Sequence, residues 1–370
     1  MSPRLRGFVA IAGLAAATAG GLALLQPRAG AAPQSAAGDT AAKVVAAAEA
    51  FLKTLDDAGL AQLPYDAPEK KTRWSNFPLG MVARNGVRLG SLTPAQRTAA
   101  MRVLSVALSR DGYQKVIEIM RGDEMLRTNP GNGPGGGGRA PGAGGPPPGG
   151  PGAGGPGGRR IVFGQDEYYL AIAGTPSTTK PWMLQFGGHH LAINLTFGGA
   201  RATLAPTLTA AQPATYTFES KTVRPLGRET DRAFALINAL DETQRSQAIL
   251  GARVADLVLG PGQDGKTIQP EGLKVSAMTP AQQAMLMDIV KEWAGIAADA
   301  LAAPRLEEIE AKLPQTWFAW SGPMTPGSVS YFRIQGPTLV IEFAPQRDVD
   351  HIHTIYRDPT NDYGSSYGAP

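Results

Sequence analysis

A thirty-residue run dominated by glycine and proline, Asn129 to Gly158, interrupts this chain between two stretches of unlike pattern. So few apolar side chains cannot offset the entropy of ordering such a segment, so 129–158 is expected to be disordered. Helical patterning ends before it and strand patterning begins just after it. The tract therefore reads as an insertion within one domain, 32–370, rather than as a linker between two.

Upstream, Val44, Ala48, Phe51, Leu52 and Leu55 recur at helical spacing behind the capping candidates Asp39 and Thr40. Thr93-Pro94-Ala95-Gln96 is a helix start: Thr caps, Pro needs no N–H at the first position, and Gln reaches back to close a capping box. The same four letters return at Thr279-Pro280-Ala281-Gln282, which suggests two related helical hairpins, although two copies do not make a repeat array. Helices are expected at Asp231–Leu240, Glu242–Leu250 and Pro280–Lys312. Downstream of Arg160 the alternation changes to a period of two. A strand is expected over His189–Phe197, turned by Gly198-Gly199, and others over Thr316–Trp320, Ser328–Gln335 and Thr338–Phe343. The expected fold class is α+β, with a mainly antiparallel sheet from the 161–208 and 316–357 strands, flanked by helical hairpins.

Arg4 and Arg6 precede an apolar run from Phe8 to Leu25, and Ala29-Gly30-Ala31 offers small residues for cleavage. This order predicts a signal peptide over 1–31 and an exported protein, periplasmic or extracellular, with no membrane attachment after cleavage. The chain has no cysteine, so neither disulfides nor thiolate ligands enter the argument. The formal charge of +4 falls to +1 without Arg4, Arg6 and Arg28, and to −2 without Arg139, Arg159 and Arg160. No basic face follows from that count, so nucleic acid is excluded as a partner. Nothing in the sequence sets the oligomeric state.

All four histidines fall in two short clusters, His189-His190 and His351-Ile352-His353. On a strand, His351 and His353 emerge on one face, which is chelating geometry. Alternation over 189–197 puts His189 with Leu191, Ile193 and Leu195 on a core face, and His190 with Asn194 on the other. His190, His351 and His353 are therefore the candidate metal ligands, for a divalent transition metal such as Zn, Cu or Fe. Glu342 interrupts Val340, Ile341 and Phe343, and a carboxylate there needs a partner. It is a candidate ligand or general base. Arg357 would orient an anionic substrate or stabilise developing charge, and Asp358 or Asp362 would fix an imidazole or Arg357 from behind. The competing reading makes Arg357-Asp358-Pro359 a structural turn and the histidines strand caps. There is no G-x-S-x-G elbow and no H-E-x-x-H, and Gly265-Lys266-Thr267 lacks the frame of a phosphate loop.

Leu92-Thr93…Gln96-Arg97, Pro181-Trp182, Gly187-Gly188-His189-His190-Leu191, Gly336-Pro337…Ile341-Glu342 and the motif His351–Gly364 together resemble the bacterial and fungal family called domain of unknown function 3500. The resemblance spans the chain after its leader except the Gly/Pro tract. It implies one domain and the importance of these motifs as a set, and carries no activity. The expected function is an exported metal-dependent hydrolase or oxidoreductase acting on a small-molecule or cell-envelope substrate. The alternative is a non-catalytic exported protein that binds a small anion or an envelope component.

Overall fold

The structure is a computed structural model that describes residues 35–63, 68–78, 81–128 and 161–368. The expected signal peptide and the Gly/Pro tract both lie outside the described residues. In chain order the helices are α1 (Ala36–Leu52), α2 (Asp57–Leu60), α3 (Pro94–Ala107), α4 (Arg110–Thr128), α5 (Gly227–Ala239), α6 (Glu242–Ala248), α7 (Pro280–Ala294) and α8 (Asp299–Ala311). The strands are β1 (Val87–Arg88), β2 (Tyr169–Ala173), β3 (Pro181–Gly188), β4 (Leu191–Gly198), β5 (Arg201–Thr203), β6 (Thr207–Ala211), β7 (Tyr216–Phe218), β8 (Lys221–Val223), β9 (Leu273–Lys274), β10 (Trp317–Ser321), β11 (Tyr331–Gly336), β12 (Leu339–Pro345) and β13 (Ile352–Arg357). No described helix is long and apolar enough to cross a membrane.

Among the described residues, eleven strands form one sheet in the order β1-β2-β3-β4-β6-β13-β12-β11-β10-β9, with β5 paired to β4. Neighbouring strands in it run antiparallel, so the expected α+β class with a mainly antiparallel sheet is what the chain adopts. Two-residue alternation sorts the side chains. Trp182, Leu184, Phe186, Ile193, Leu195, Phe318, Phe332, Ile341 and Tyr356 face the helices and form the main core. Met183, Ala192, Leu208, Ala210 and Ile355 face the other way, beneath irregular segments that bring Trp74, Leu257 and Tyr363 onto the sheet. That second face also buries Gln185, Asn194, Arg333, Glu342, His353 and Arg357. It carries the chemistry.

The repeated helix start belongs to something larger. Both Thr-Pro-Ala-Gln copies form capping boxes, on α3 and α7. Each follows a two-residue edge strand and a short 3-10 turn, and each opens a helical hairpin. The region expected as one helical stretch from Pro280 to Lys312 breaks at Gly295, which caps α7. Before each box stands a glycine with positive φ, Gly86 at 89° and Gly272 at 99°. A Cβ at either would meet the carbonyl oxygen of the adjoining strand, Leu170 at 2.1 Å or Phe318 at 2.3 Å, so both positions require glycine. Leu89 N–H donates to Tyr168 O and Val275 N–H to Thr316 O, both at 2.8 Å. The sequence α1-α2-β1-α3-α4-β2-β3-β4-β6 is matched by α5-α6-β9-α7-α8-β10-β11-β12-β13, and the sheet order reads the same from either edge. The fold is an internal duplication whose halves meet along β6 and β13.

Candidate metal centre

His189 and His190 form the two-residue turn of the β3–β4 hairpin, because Gly188 pairs with Leu191 across it. The strand expected to begin at His189 therefore begins at Leu191. His190 takes φ 62°, a left-handed conformation that turns its side chain independently of strand alternation. Its ring still reaches the face that alternation had assigned to it, by way of the turn. Gly188 admits the Tyr168 ring, which a Cβ would meet at 2.9 Å. Tyr168 Oη then donates to His189 O at 2.7 Å and fixes the turn.

The next strand over presents the partner. Ala210 N–H of β6 donates to His190 O at 2.9 Å, and Ala210 pairs with His353 of β13. On its other side His353 pairs with Ala344 of β12. Flanked by two methyl groups, the His353 ring stands clear above the sheet, and His190 leans toward it across Ala210. His351 lies just before β13, half-buried, with its carbonyl accepting from Gln346 N–H at 2.8 Å. One ligand nitrogen from each of His190, His351 and His353 lies within 4.8 Å of the others. His190 Nε2 and His351 Nε2 are 3.0 Å apart. Adjacent nitrogens around a tetrahedral ion with ~2.05 Å bonds are about 3.3 Å apart, so the rings need close or part by at most about 1.5 Å. Burial, helped by the neighbouring imidazoles, lowers the His190 pKa well below its usual value, and burial takes His351 down to about 3. Both rings are thus neutral near pH 7, the state a metal requires. A triad of this form can hold a metal ion.

Each ring is braced. His189 stacks on His190 with centroids 3.6 Å apart, and Phe163 packs on His189 at 5.0 Å. His189 Nδ1 donates to Asp123 at 2.5 Å, and Asp123 also accepts from Gly164 N–H at 3.1 Å. Burial pushes the Asp123 carboxyl up while His189 pulls it back. His189 is thus more than packing: it carries a hydrogen bond from α4 to the ring beneath His190. Asp256 Oδ1 lies 3.3 Å from His353 Nδ1, which leaves Nε2 as the ligand atom. Asn76 Nδ2 lies 3.4 and 3.2 Å from the two nitrogens of that ring. A donor nearly equidistant from both cannot lie along either in-plane lone pair, so Asn76 rests on the ring face and leaves Nε2 open. Arg84 ties these parts together. Its guanidinium donates to Ser75 O and Phe77 O, on either side of Asn76, and to Gly188 O of the histidine turn, at 3.0, 2.6 and 3.1 Å.

The three residues expected to act catalytically are occupied elsewhere. Glu342 shares the face of His353, two positions along β12 from its partner Ala344, but accepts Val258 N–H, Leu259 N–H and Tyr331 Oη at 2.9, 2.7 and 2.6 Å. It anchors the loop that carries Asp256. Arg357 grips the same loop, donating to Leu259 O and Gly260 O at 2.7 and 3.0 Å and to Asp264 and Asp362 at 3.0 and 2.8 Å. Asp358 accepts from Thr360 N–H and Oγ1 and pairs with Arg305 at 3.2 Å. Four and five residues beyond His353, at ~3.4 Å each, these groups lie roughly 14 Å or more along the chain from it. The turn reading describes Arg357-Asp358-Pro359. Asn76, Arg84, Asp123 and Asp256 were not anticipated. Only Asp123 left a trace, as an acid in line with Val116, Ile119 and Met120 on the buried stripe of α4.

An α+β chain with an internal duplication and a three-imidazole site on its non-helical face is therefore the class these features define. The chain belongs to the family described as protein of unknown function DUF3500, whose model matches residues 37–365. Neither the curated proteins nor the solved structures gave a significant match.

Proposed function

We propose that His190, His351 and His353 hold one divalent transition metal and that the protein is a metal-dependent hydrolase or oxidoreductase. The observation that carries this is the convergence of three imidazoles from segments 161 residues apart, two of them kept neutral by burial. A structural pair of histidines would not need the third, nor the separate braces on His190 and His353. The bound ion would supply Lewis acidity or a redox couple. With three neutral ligands the site keeps the full charge of the ion at the substrate. Asp256, 3.3 Å from His353 Nδ1, would hold that ring with its Nε2 turned to the ion. His189 and Asn76 hold two of the rings in place. With its leader-like start, we place the protein outside the cytoplasm. An anion-binding role draws no support from Arg357, whose donors are spent on the loop.

The test is metal content. Elemental analysis of purified protein should give close to one equivalent of a transition metal, lost on combining His351→Ala with His353→Ala while circular dichroism is unchanged. Metal-free wild-type protein after incubation with Zn²⁺, Cu²⁺ and Fe²⁺ would end the proposal, as would a double variant that keeps its ion.

A further inference from the structure

The large apolar residues that stay exposed are not scattered. Among the described residues they are Phe77, Met81, Ile161, Ile249, Val258 and Val349. Phe77 follows Asn76, and Val258 lies two residues beyond Asp256. Met81 shares the Asn76 segment, and Ile161 lies two residues from Phe163, which packs on His189. Ile249 and Val349 stand apart from the segments that brace the imidazoles, Val349 lining a separate cavity with Phe234, Phe343 and Ile352. Single exposed apolar residues need no explanation, but several drawn from the segments around one polar site mark a surface that meets something apolar. The charges nearby point the same way. Arg357 and Arg84 are spent on the contacts described above. On the same segments the exposed charges Asp256, Asp348 and Asp350 stand against Arg73, Arg253 and Arg347, and the one in contact with a histidine is Asp256.

We propose that the centre takes a neutral organic molecule with an apolar body, aryl or alkyl, and one oxygen or nitrogen group that reaches the metal position, the body resting on Phe77 and Val258. This rests on the metal reading for the anchoring group but not for the apolar surface, so the two can fail separately. An anionic substrate would meet the Asp256 carboxylate, the exposed charge in contact with His353. A polysaccharide would need polar stacking partners that Phe77 and Val258 do not supply.

Three hydroxamates probe the metal-loaded full-length protein by calorimetry: acetohydroxamate, benzohydroxamate and 4-carboxybenzohydroxamate. Benzohydroxamate should bind at least ~10-fold tighter than acetohydroxamate, the effect of burying most of a phenyl ring, and the added carboxylate should cancel most of that gain. In Phe77→Ser combined with Val258→Ser the ratio should fall to about 2, with metal content unchanged. A second arm uses metal-free protein and Nile red, a neutral apolar dye, whose emission should rise with the wild type and not with the variant. An equal ratio in wild type and variant, tighter binding of the carboxylated probe, or dye emission indifferent to the substitutions would each overturn the proposal. Absence of metal together with variant-sensitive dye binding would overturn the metal reading alone.

Discussion

Glu342→Gln separates an anchor from a ligand. The carboxylate accepts three hydrogen bonds, two from the consecutive amides of Val258 and Leu259 and one from Tyr331, and is fully buried. Glutamine keeps one oxygen, which can still serve Val258 N–H and Tyr331 Oη, but its NH₂ then faces Leu259 N–H. One buried donor is left unsatisfied, at about 1–3 kcal/mol, and the two surviving bonds lose their charge assistance, for about 1 kcal/mol more. The expected loss is about 2–4 kcal/mol, or roughly 3–6 °C in Tm for a chain of this size. Denaturant titration and calorimetry measure it, and hydrogen exchange should show faster exchange in 254–264 with the rest of the sheet unchanged. Metal stoichiometry should stay at the wild-type value. The reasoning is refuted if Glu342→Gln retains full stability and loses the metal, since that is how a ligand behaves.

Lys115 is buried between Glu229 and Glu292, and Lys115→Met should cost about 3–5 kcal/mol by leaving the Glu229 carboxylate without its cation, read by denaturation. Gly272→Ala and Gly86→Ala should each cost about 2 kcal/mol or more, from the clash and the left-handed φ, and similar losses from both would show the duplicated geometry acting twice. Metal-free protein should lose stability as pH falls from 6.5 toward 3. With His190 and His351 lowered in the folded state, the unfolded chain binds more protons in that window, and the stabilisation is present in full only above it. Each ring steepens the slope by up to about 1.4 kcal/mol per pH unit, less for half-buried His351. His351→Ala should therefore show a shallower acid limb in pH-dependent denaturation, and an identical limb would contradict the assignment.

Much of this was legible in the sequence because local signals agreed with the tertiary outcome. The two capping boxes formed where Thr-Pro-Ala-Gln stands, and alternation put His351 and His353 on one face. His190 was selected by a strand argument that does not apply to it, since a two-residue turn and a positive φ aim its ring. Glu342, Arg357 and Asp358 find their partners away from the imidazoles, for one reason. A buried charge in a sequence announces that a partner exists, not which one, and here the partners are loop amides, loop carbonyls and Arg305. Asn76 and Asp256 sit in irregular segments with no periodicity, and only the folded loops bring them to His353. The edge strands β1 and β9 were missed because two residues carry no readable alternation.

The meeting of two like halves along β6 and β13 has a consequence for how a single site can exist at all. The His189-His190 turn joins β3 to β4, and its counterpart joining β11 to β12 is Pro337-Thr338, so Thr338 stands where the second half would have had His190. Ala344 pairs with His353, and its counterpart Thr196 pairs with Thr203. Had the same unit remained two identical polypeptides related by a dyad, any imidazole placed at one end of the central strand pair would have appeared at the other as well. Joined in one chain, the halves were free to specialise. One end of the pair gathers histidines, while at the other Arg305 reaches Thr338, Tyr356 and Asp358 and closes the corner.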